Sequence, residues 1–238
     1  MNIKFIGTGS MVSNDNQACY LINDNIMIDM PNGTVKILKN INKLSTVNYV
    51  FITHIHGDHY FDLPFLLLDK LKREEELTIY ASRWCMPRIK WLVKMAFPRE
   101  YFKIMLAKNI HFVTNSKEIE IDGMKFNRFK VVHGKMKPAY GYTVDYNKKR
   151  VSFTGDAMLN NTVLEKAKSS NYMVCDCTLN KGNDKHMGVD NIKTLLENNN
   201  LTLIPSHMSP KAKEELLTIK KENLLIKEDM EELKIWQK

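Results

Sequence analysis

Six consecutive residues carry three imidazoles and one carboxylate: His54-Ile55-His56-Gly57-Asp58-His59. Imidazole nitrogen and carboxylate oxygen together suit zinc, manganese or iron better than calcium or magnesium, which prefer oxygen shells. Four donors in one short segment exceed what a single tetrahedral ion with an open position can use. Two ions explain the count better. Gly57 is expected to let the segment turn tightly. Cys175 and Cys177 are also potential ligands, but they alternate within an apolar run and read as a structural thiol pair on one strand face.

For the histidine segment to gather its donors, one element must end just before it and another begin just after. Asn48–Thr53 has the pattern of a buried strand, and Phe61–Lys72 that of a helix. Upstream, Ile3–Gly7 predicts a first strand, Ala18–Ile22 and Asn25–Asp29 a hairpin, and Thr34–Asn40 a helix. Downstream, strands are expected at Leu77–Ala81, His111–Val113, Lys117–Ile121, Met124–His133, Tyr140–Tyr146, Val151–Thr154, Tyr172–Cys177, Leu201–Ser206 and Leu224–Lys227. Helices are expected at Val163–Lys168, Asn191–Asn198 and Lys211–Glu222. Strands come first and helices interrupt them in two sets, which fits an α/β fold of two sheets sandwiched between helices.

Arg83–Lys108 differs in composition. It holds seven Lys or Arg residues against one acid, Glu100, interleaved with Trp84, Trp91, Leu92, Met95, Phe97, Tyr101, Phe102 and Met105. Two helices broken at Phe97-Pro98 are expected. They form either an ordinary pair with a solvated basic face, or a cap or dimer contact that brings cations towards a phosphate.

The chain has 238 residues, 44% of them apolar, and a formal net charge of +8. That length is expected to form one domain. No run of 18 apolar residues exists, so no membrane-spanning helix is expected, and the start lacks a signal-peptide pattern. The four cysteines show no disulfide-framework spacing, which points to a reducing cytoplasm. The positive charge favours phosphate-bearing partners as much as it favours solubility alone.

The histidine segment resembles the signature of the metallo-β-lactamase superfamily. The rest of the chain supports the likeness in order: His133 in Val131-Val132-His133-Gly134, Asp156 in Ser152-Phe153-Thr154-Gly155-Asp156-Ala157, and His207 in Leu203-Ile204-Pro205-Ser206-His207. The resemblance runs from residue 3 to about residue 236. It implies a four-layer αβ/βα sandwich with two divalent ions, zinc by preference and manganese as the alternative. By that likeness His54, His56 and His133 hold one ion, Asp58, His59 and His207 the other, and Asp156 bridges them.

The opening Phe5-Ile6-Gly7-Thr8-Gly9-Ser10 and the stretch from Cys175 to His186 are similar to ribonuclease Z and its phosphodiesterase relatives. The resemblance implies that Asp176, where ribonuclease Z typically has glutamate, and His186 form a proton-donating pair, and that Asp58 helps orient the attacking water. Ribonuclease Z also extends a long arm that grips transfer RNA. Only 22 residues separate His133 from Asp156, and they read as a strand, a turn at Asn147-Lys148-Lys149 and another strand, with no room for an arm. The compact outline is similar to cyclic-nucleotide phosphodiesterases of this fold, the anti-Pycsar phosphodiesterases among them.

The expected reaction is therefore hydrolysis of a nucleotide phosphodiester, cyclic nucleotides first, by a cytoplasmic homodimer. A ribonuclease Z-like RNA endonuclease is the alternative. A lactonase or β-lactamase-like hydrolase is a third reading, against which the Asp176–His186 pair argues. A non-catalytic module would have lost a ligand, and none is lost. His111 has no place in the ligand pattern and is expected to be structural.

Overall fold

Apolar residues fill nearly every position of Ile26-Met27-Ile28, Tyr49-Val50-Phe51 and Leu77-Thr78-Ile79-Tyr80, the pattern of strands covered on both faces. The computed structural model, which describes residues 1–114 and 118–235, places all three as neighbours in one sheet. The chain divides into two compact units. Among the described residues, 1–7, 17–114 and 230–235 belong to the first; 8–16 and 118–229 make up the second.

In chain order the first unit contains β1 (Asn2–Gly7), β2 (Cys19–Ile22), β3 (Ile26–Ile28), α1 (Thr34–Asn40), β4 (Tyr49–Phe51), α2 (Gly57–Tyr60), α3 (Leu63–Arg73), β5 (Leu77–Tyr80), α4 (Cys85–Ala96), α5 (Tyr101–Leu106) and β6 (Ile110–Val113). The second contains β7 (Glu118–Ile121), β8 (Met124–His133), β9 (Met136–Tyr146), β10 (Lys149–Phe153), α6 (Asn161–Ser169), β11 (Tyr172–Asp176), α7 (Val189–Leu195), β12 (Thr202–Ser206) and α8 (Pro210–Leu216). The last strand, β13 (Glu232–Lys234), returns to the first unit.

The first sheet runs β13-β1-β2-β3-β4-β5-β6. Its hairpin strands are antiparallel, and β3 to β6 are parallel. Parallel neighbours need crossover connections, which α1, α3 and the α4–α5 pair supply. The core of this unit gathers Met27, Val50 and Ile79 of the strands with Leu38, Leu66, Leu67, Ile89 and Val93 of the helices. On α4 the spacing of Cys85, Ile89 and Val93 sets one buried stripe.

The second sheet runs β12-β11-β10-β9-β8-β7. β9 is antiparallel to both β8 and β10, while β10, β11 and β12 are mutually parallel. β8, β10, β11 and β12 therefore all run the same way, and their C-terminal ends share one edge. That edge is where ligands collect in sheets of this kind.

The structure corrects several expectations. The segment after His56 is a helical turn, α2, and α3 starts two residues later than expected, at Leu63. Gly57 does not need a left-handed backbone. A Cβ there would stand 2.5 Å from the Phe61 ring, so space is the constraint. β9 begins at Met136, and the residues between His133 and Asp156 are all spent in the β8–β9–β10 meander, with Asn147 and Lys148 turning at positive φ. Leu224–Lys227 contributes one isolated bridge, Leu203 to Leu224, and the closing strand is β13. Lys117, the expected first residue of β7, lies outside the described residues, as does Trp236 near the end of the resemblance. No described helix is long and apolar enough to cross a membrane.

Candidate metal centre

In the first unit, β4 delivers the histidine segment. Ile52 and Thr53 continue its direction, and His54 is fully buried at 0% exposure. Directly after the parallel neighbour β3 comes Asp29, which takes a left-handed backbone (φ 62°) and is also buried. Asp29 accepts from the Thr53 amide (2.8 Å) and hydroxyl (2.7 Å), and from His59 Nδ1 (2.8 Å). The Thr53 hydroxyl in turn lies 3.0 Å from His54 Nδ1. The sequence reading passed over Asp29. Its only signal was a carboxylate closing a wholly apolar strand.

These contacts decide which ring nitrogens face the site. With Nδ1 of His54 and His59 engaged, each presents Nε2 outward. This is the pattern of metal-binding histidines, whose second nitrogen is held by an acceptor that fixes tautomer and orientation. His54 Nε2 and His56 Nδ1 are 3.0 Å apart. Two nitrogens on one tetrahedral ion stand roughly 3.3 Å apart, so one ion fits both. Asp58 Oδ2 lies 3.9 Å from His59 Nε2.

In the second unit, the common strand edge gathers the remaining residues. His133 ends β8, Asp156 follows β10, Asp176 ends β11 and His207 follows β12. Asp156 is buried, with Oδ2 at 3.7 Å from His133 Nε2 and Oδ1 at 3.6 Å from His207 Nε2. Its two oxygens thus face two different histidines. The outer nitrogens are again held: His133 Nδ1 by the Lys185 carbonyl at 2.8 Å, His207 Nδ1 by the Thr178 hydroxyl at 2.8 Å. The donor chemistry in each unit fits divalent metal.

His186 Nδ1 lies 2.7 Å from Asp176 Oδ2. Asp176 also accepts from the Ala157 amide (3.0 Å) and from the Thr178 amide (2.9 Å) and hydroxyl (2.7 Å), so its buried charge is fully solvated by donors. The His186 ring stacks near-parallel on His207, with centroids 5.6 Å apart. Asp156, His186 and His207 each bring one ligand atom within 4.8 Å of the others. His111 stands apart on β6, half exposed, 3.4 Å from Glu76. Cys175 and Cys177 are both buried in the apolar core of this unit, as a structural pair would be.

Two sheets with their helices, together with these histidine and carboxylate clusters, define a protein of the metallo-β-lactamase fold, a class of metal-dependent hydrolases. The chain belongs to the anti-Pycsar protein Apyc1 family, whose model matches residues 1–230. It is similar to ribonuclease Z of Thermococcus sibiricus, 32% identical over 162 residues, or 64% of this chain and 50% of that protein. The chain thus spans about half the length of the curated relatives it matches. Its fold is similar to that of the metallo-β-lactamase fold protein YhfI from Bacillus subtilis (TM-score 0.76, 14% identity, 98% of each chain). The short form of human tRNase Z is equally similar (TM-score 0.76, 17% identity, 100% of each chain).

Proposed function

We propose that the chain is a two-metal phosphodiesterase acting on a small nucleotide phosphodiester, a cyclic nucleotide first. His54, His56 and His133 hold one ion, Asp58, His59 and His207 the other, and Asp156 bridges them. The assignment rests on family membership, on the order of the residues in the chain and on the donor chemistry within each unit. Zinc suits this set of imidazoles and carboxylates, with manganese as the alternative. When bound, the ions neutralise phosphate charge and activate water near neutral pH.

The observation that carries the reading is the 2.7 Å contact between His186 and Asp176. Asp176 holds the Nδ1 proton and stabilises the imidazolium, which leaves Nε2 to protonate a departing oxygen. A sugar alkoxide needs that proton. Asp58 orients the attacking water. A ribonuclease Z-like RNA endonuclease remains the second reading, favoured by the net charge of +8 and the ribonuclease Z relatives. The meander that fills the stretch between His133 and Asp156 counts against a transfer-RNA-gripping arm there.

The enzyme works as a cytoplasmic homodimer through the outer face of α4 and α5. Trp84 (59%), Trp91 (61%), Met95 (62%), Phe102 (68%) and Leu106 (80%) are exposed there, more apolar surface than a solvated helix pair carries.

The test is a turnover panel with added zinc or manganese, comparing cyclic mononucleotides, bis(p-nitrophenyl) phosphate, precursor transfer RNA and a lactone. Cyclic nucleotides should turn over fastest. Cleavage of precursor transfer RNA alone moves the assignment to the endonuclease, and turnover of the lactone alone removes the phosphodiesterase.

A further inference from the structure

Thr178 is absent from the proposed ligands and proton donors, yet its hydroxyl touches both halves of the chemistry in the second unit. Oγ1 lies 2.7 Å from Asp176 Oδ1, 2.8 Å from His207 Nδ1, 3.1 Å from His186 Nδ1 and 3.1 Å from the His207 carbonyl. A hydroxyl has one proton to give and two lone pairs to accept with, so the four contacts are not equivalent. An ionised carboxylate only accepts, and it is the nearer of the two acceptors. The Thr178 proton therefore goes to Asp176. The lone pairs are left for ring N–H groups, and His207 Nδ1 is the nearer ring. His186 Nδ1 has a shorter partner in Asp176 Oδ2 and shares its proton with Thr178 only secondarily.

This order of protons has two consequences. A proton held on His207 Nδ1 leaves Nε2 with its lone pair, the tautomer that a metal ligand must have. A carboxylate that receives the Thr178 proton on Oδ1 has Oδ2 turned to His186, which sets the tautomer of the proton donor. His207 also has a left-handed backbone (φ 55°), unfavourable for a residue with a Cβ. With its proton on Asp176, Thr178 holds that residue by accepting from the His207 ring N–H.

We propose that Thr178 is a positioning residue that couples the metal ligand His207 to the proton donor His186 through one hydroxyl. The proposal rests on the roles assigned to those two histidines above. It separates Thr178 from an ordinary structural threonine, whose loss affects stability but not tautomers or metal affinity.

The experiment compares wild type, Thr178→Val and Thr178→Ser. Valine keeps the shape and removes the hydroxyl; serine keeps the hydroxyl. Zinc affinity is measured by competition with a chromophoric chelator, and turnover is measured on a cyclic nucleotide and on bis(p-nitrophenyl) phosphate. Thr178→Val should lose roughly 10–100-fold in zinc affinity, the usual cost of losing a partner that orients a ligand. At saturating zinc it should lose more kcat on the cyclic nucleotide than on the activated ester. Thr178→Ser should recover most of both losses.

Wild-type zinc affinity with an unchanged ratio of the two rates in Thr178→Val overturns the proposal. So does a serine variant as damaged as valine. Should valine fail to fold, the wild type decides alone: ring 15N–1H correlation places the His207 proton on Nδ1, and a proton on Nε2 overturns the assignment. If wild type hydrolyses neither diester, the phosphodiesterase reading fails, while zinc affinity and tautomer still judge Thr178.

Discussion

Asp156 Oδ1 stands 3.6 Å from His207 Nε2, and this contact gives the carboxylate a second direction beyond the one it shares with His133. If Asp156 bridges two ions, as proposed, its loss disturbs both. Asp156→Ala is therefore expected to abolish hydrolysis and to reduce bound metal from two ions per chain to one or none. The fold should largely survive, since β10 ends before Asp156. Elemental analysis and circular dichroism on the same sample check this. Near-normal turnover by a folded variant removes Asp156 from the site.

Asp29 is expected to matter nearly as much, although it is not in the ligand set. It takes the Nδ1 proton of His59 and both donors of Thr53, which in turn touches His54. Asp29→Ala leaves three buried donors without their acceptor, each worth about 1–3 kcal/mol. The expected result is a lower unfolding midpoint and zinc affinity weakened roughly 10–100-fold. Asp29→Asn can still accept one of these bonds and should fall between the two. Unchanged zinc affinity in a folded Asp29→Ala would show that Asp29 supports the strand end and nothing more.

All four cysteines are buried, and none is in a disulfide. Burial pushes the thiols of Cys85, Cys175 and Cys177 above their usual range. The thiolate is the reactive form, so a raised pKa means less of it at any given pH. Native protein at pH 8 should resist iodoacetamide for hours, and denatured protein should take up four labels. Mass spectrometry reads the difference. Rapid native labelling of the Cys175–Cys177 peptide would show that β11 opens.

The outer face of α4 and α5 predicts a dimer that one charge can split. Trp91 is 61% exposed on a helix whose opposite face is core. Large aromatic anchors dominate interface energies. Light scattering should give twice the chain mass at micromolar concentration, and the mass of one chain for Trp91→Glu. A wild-type monomer at that concentration defeats the prediction.

The strand ends that carry the proposed ligands are legible because each couples two independent signals: an apolar run that stops, then a donor residue. His54 after β4, His133 at the end of β8 and His207 after β12 all have this form. Asp29 has it too, but one carboxylate at a strand end also looks like any turn residue. What marks it is the parallel register of β3 and β4, which sets Ile28 beside Phe51 and brings Asp29 to Thr53. Thr178 was less legible still. Its partners lie 2, 8 and 29 residues away and meet only through the parallel pairing of β11 with β12. β13 escaped for the same reason. Its three residues pair with Asn2–Lys4, and Glu232 and Lys234 are polar and exposed, as edge positions allow. Local pattern marks where a strand stops, but the partner across the sheet is a long-range fact.

His186 offers the sharpest test of the chemistry. Its nearest contact is the Asp176 carboxylate at 2.7 Å, and its distance to Asp156 Oδ2 is 3.9 Å. The same ring is also close enough to Asp156 and His207 to join a metal shell. The two roles predict different things. If His186 is the proton donor, His186→Ala keeps wild-type metal content, because the seven assigned ligands are complete without it. Turnover of a cyclic nucleotide should then fall by about 10²- to 10⁴-fold, the usual cost of removing a general acid. The loss should shrink on bis(p-nitrophenyl) phosphate, because nitrophenolate departs without a proton and a sugar alkoxide does not. The measurement is one variant, two substrates and metal content on the same preparation. Equal losses on both substrates, or missing metal, make His186 a ligand or a positioning group and leave the source of the proton elsewhere.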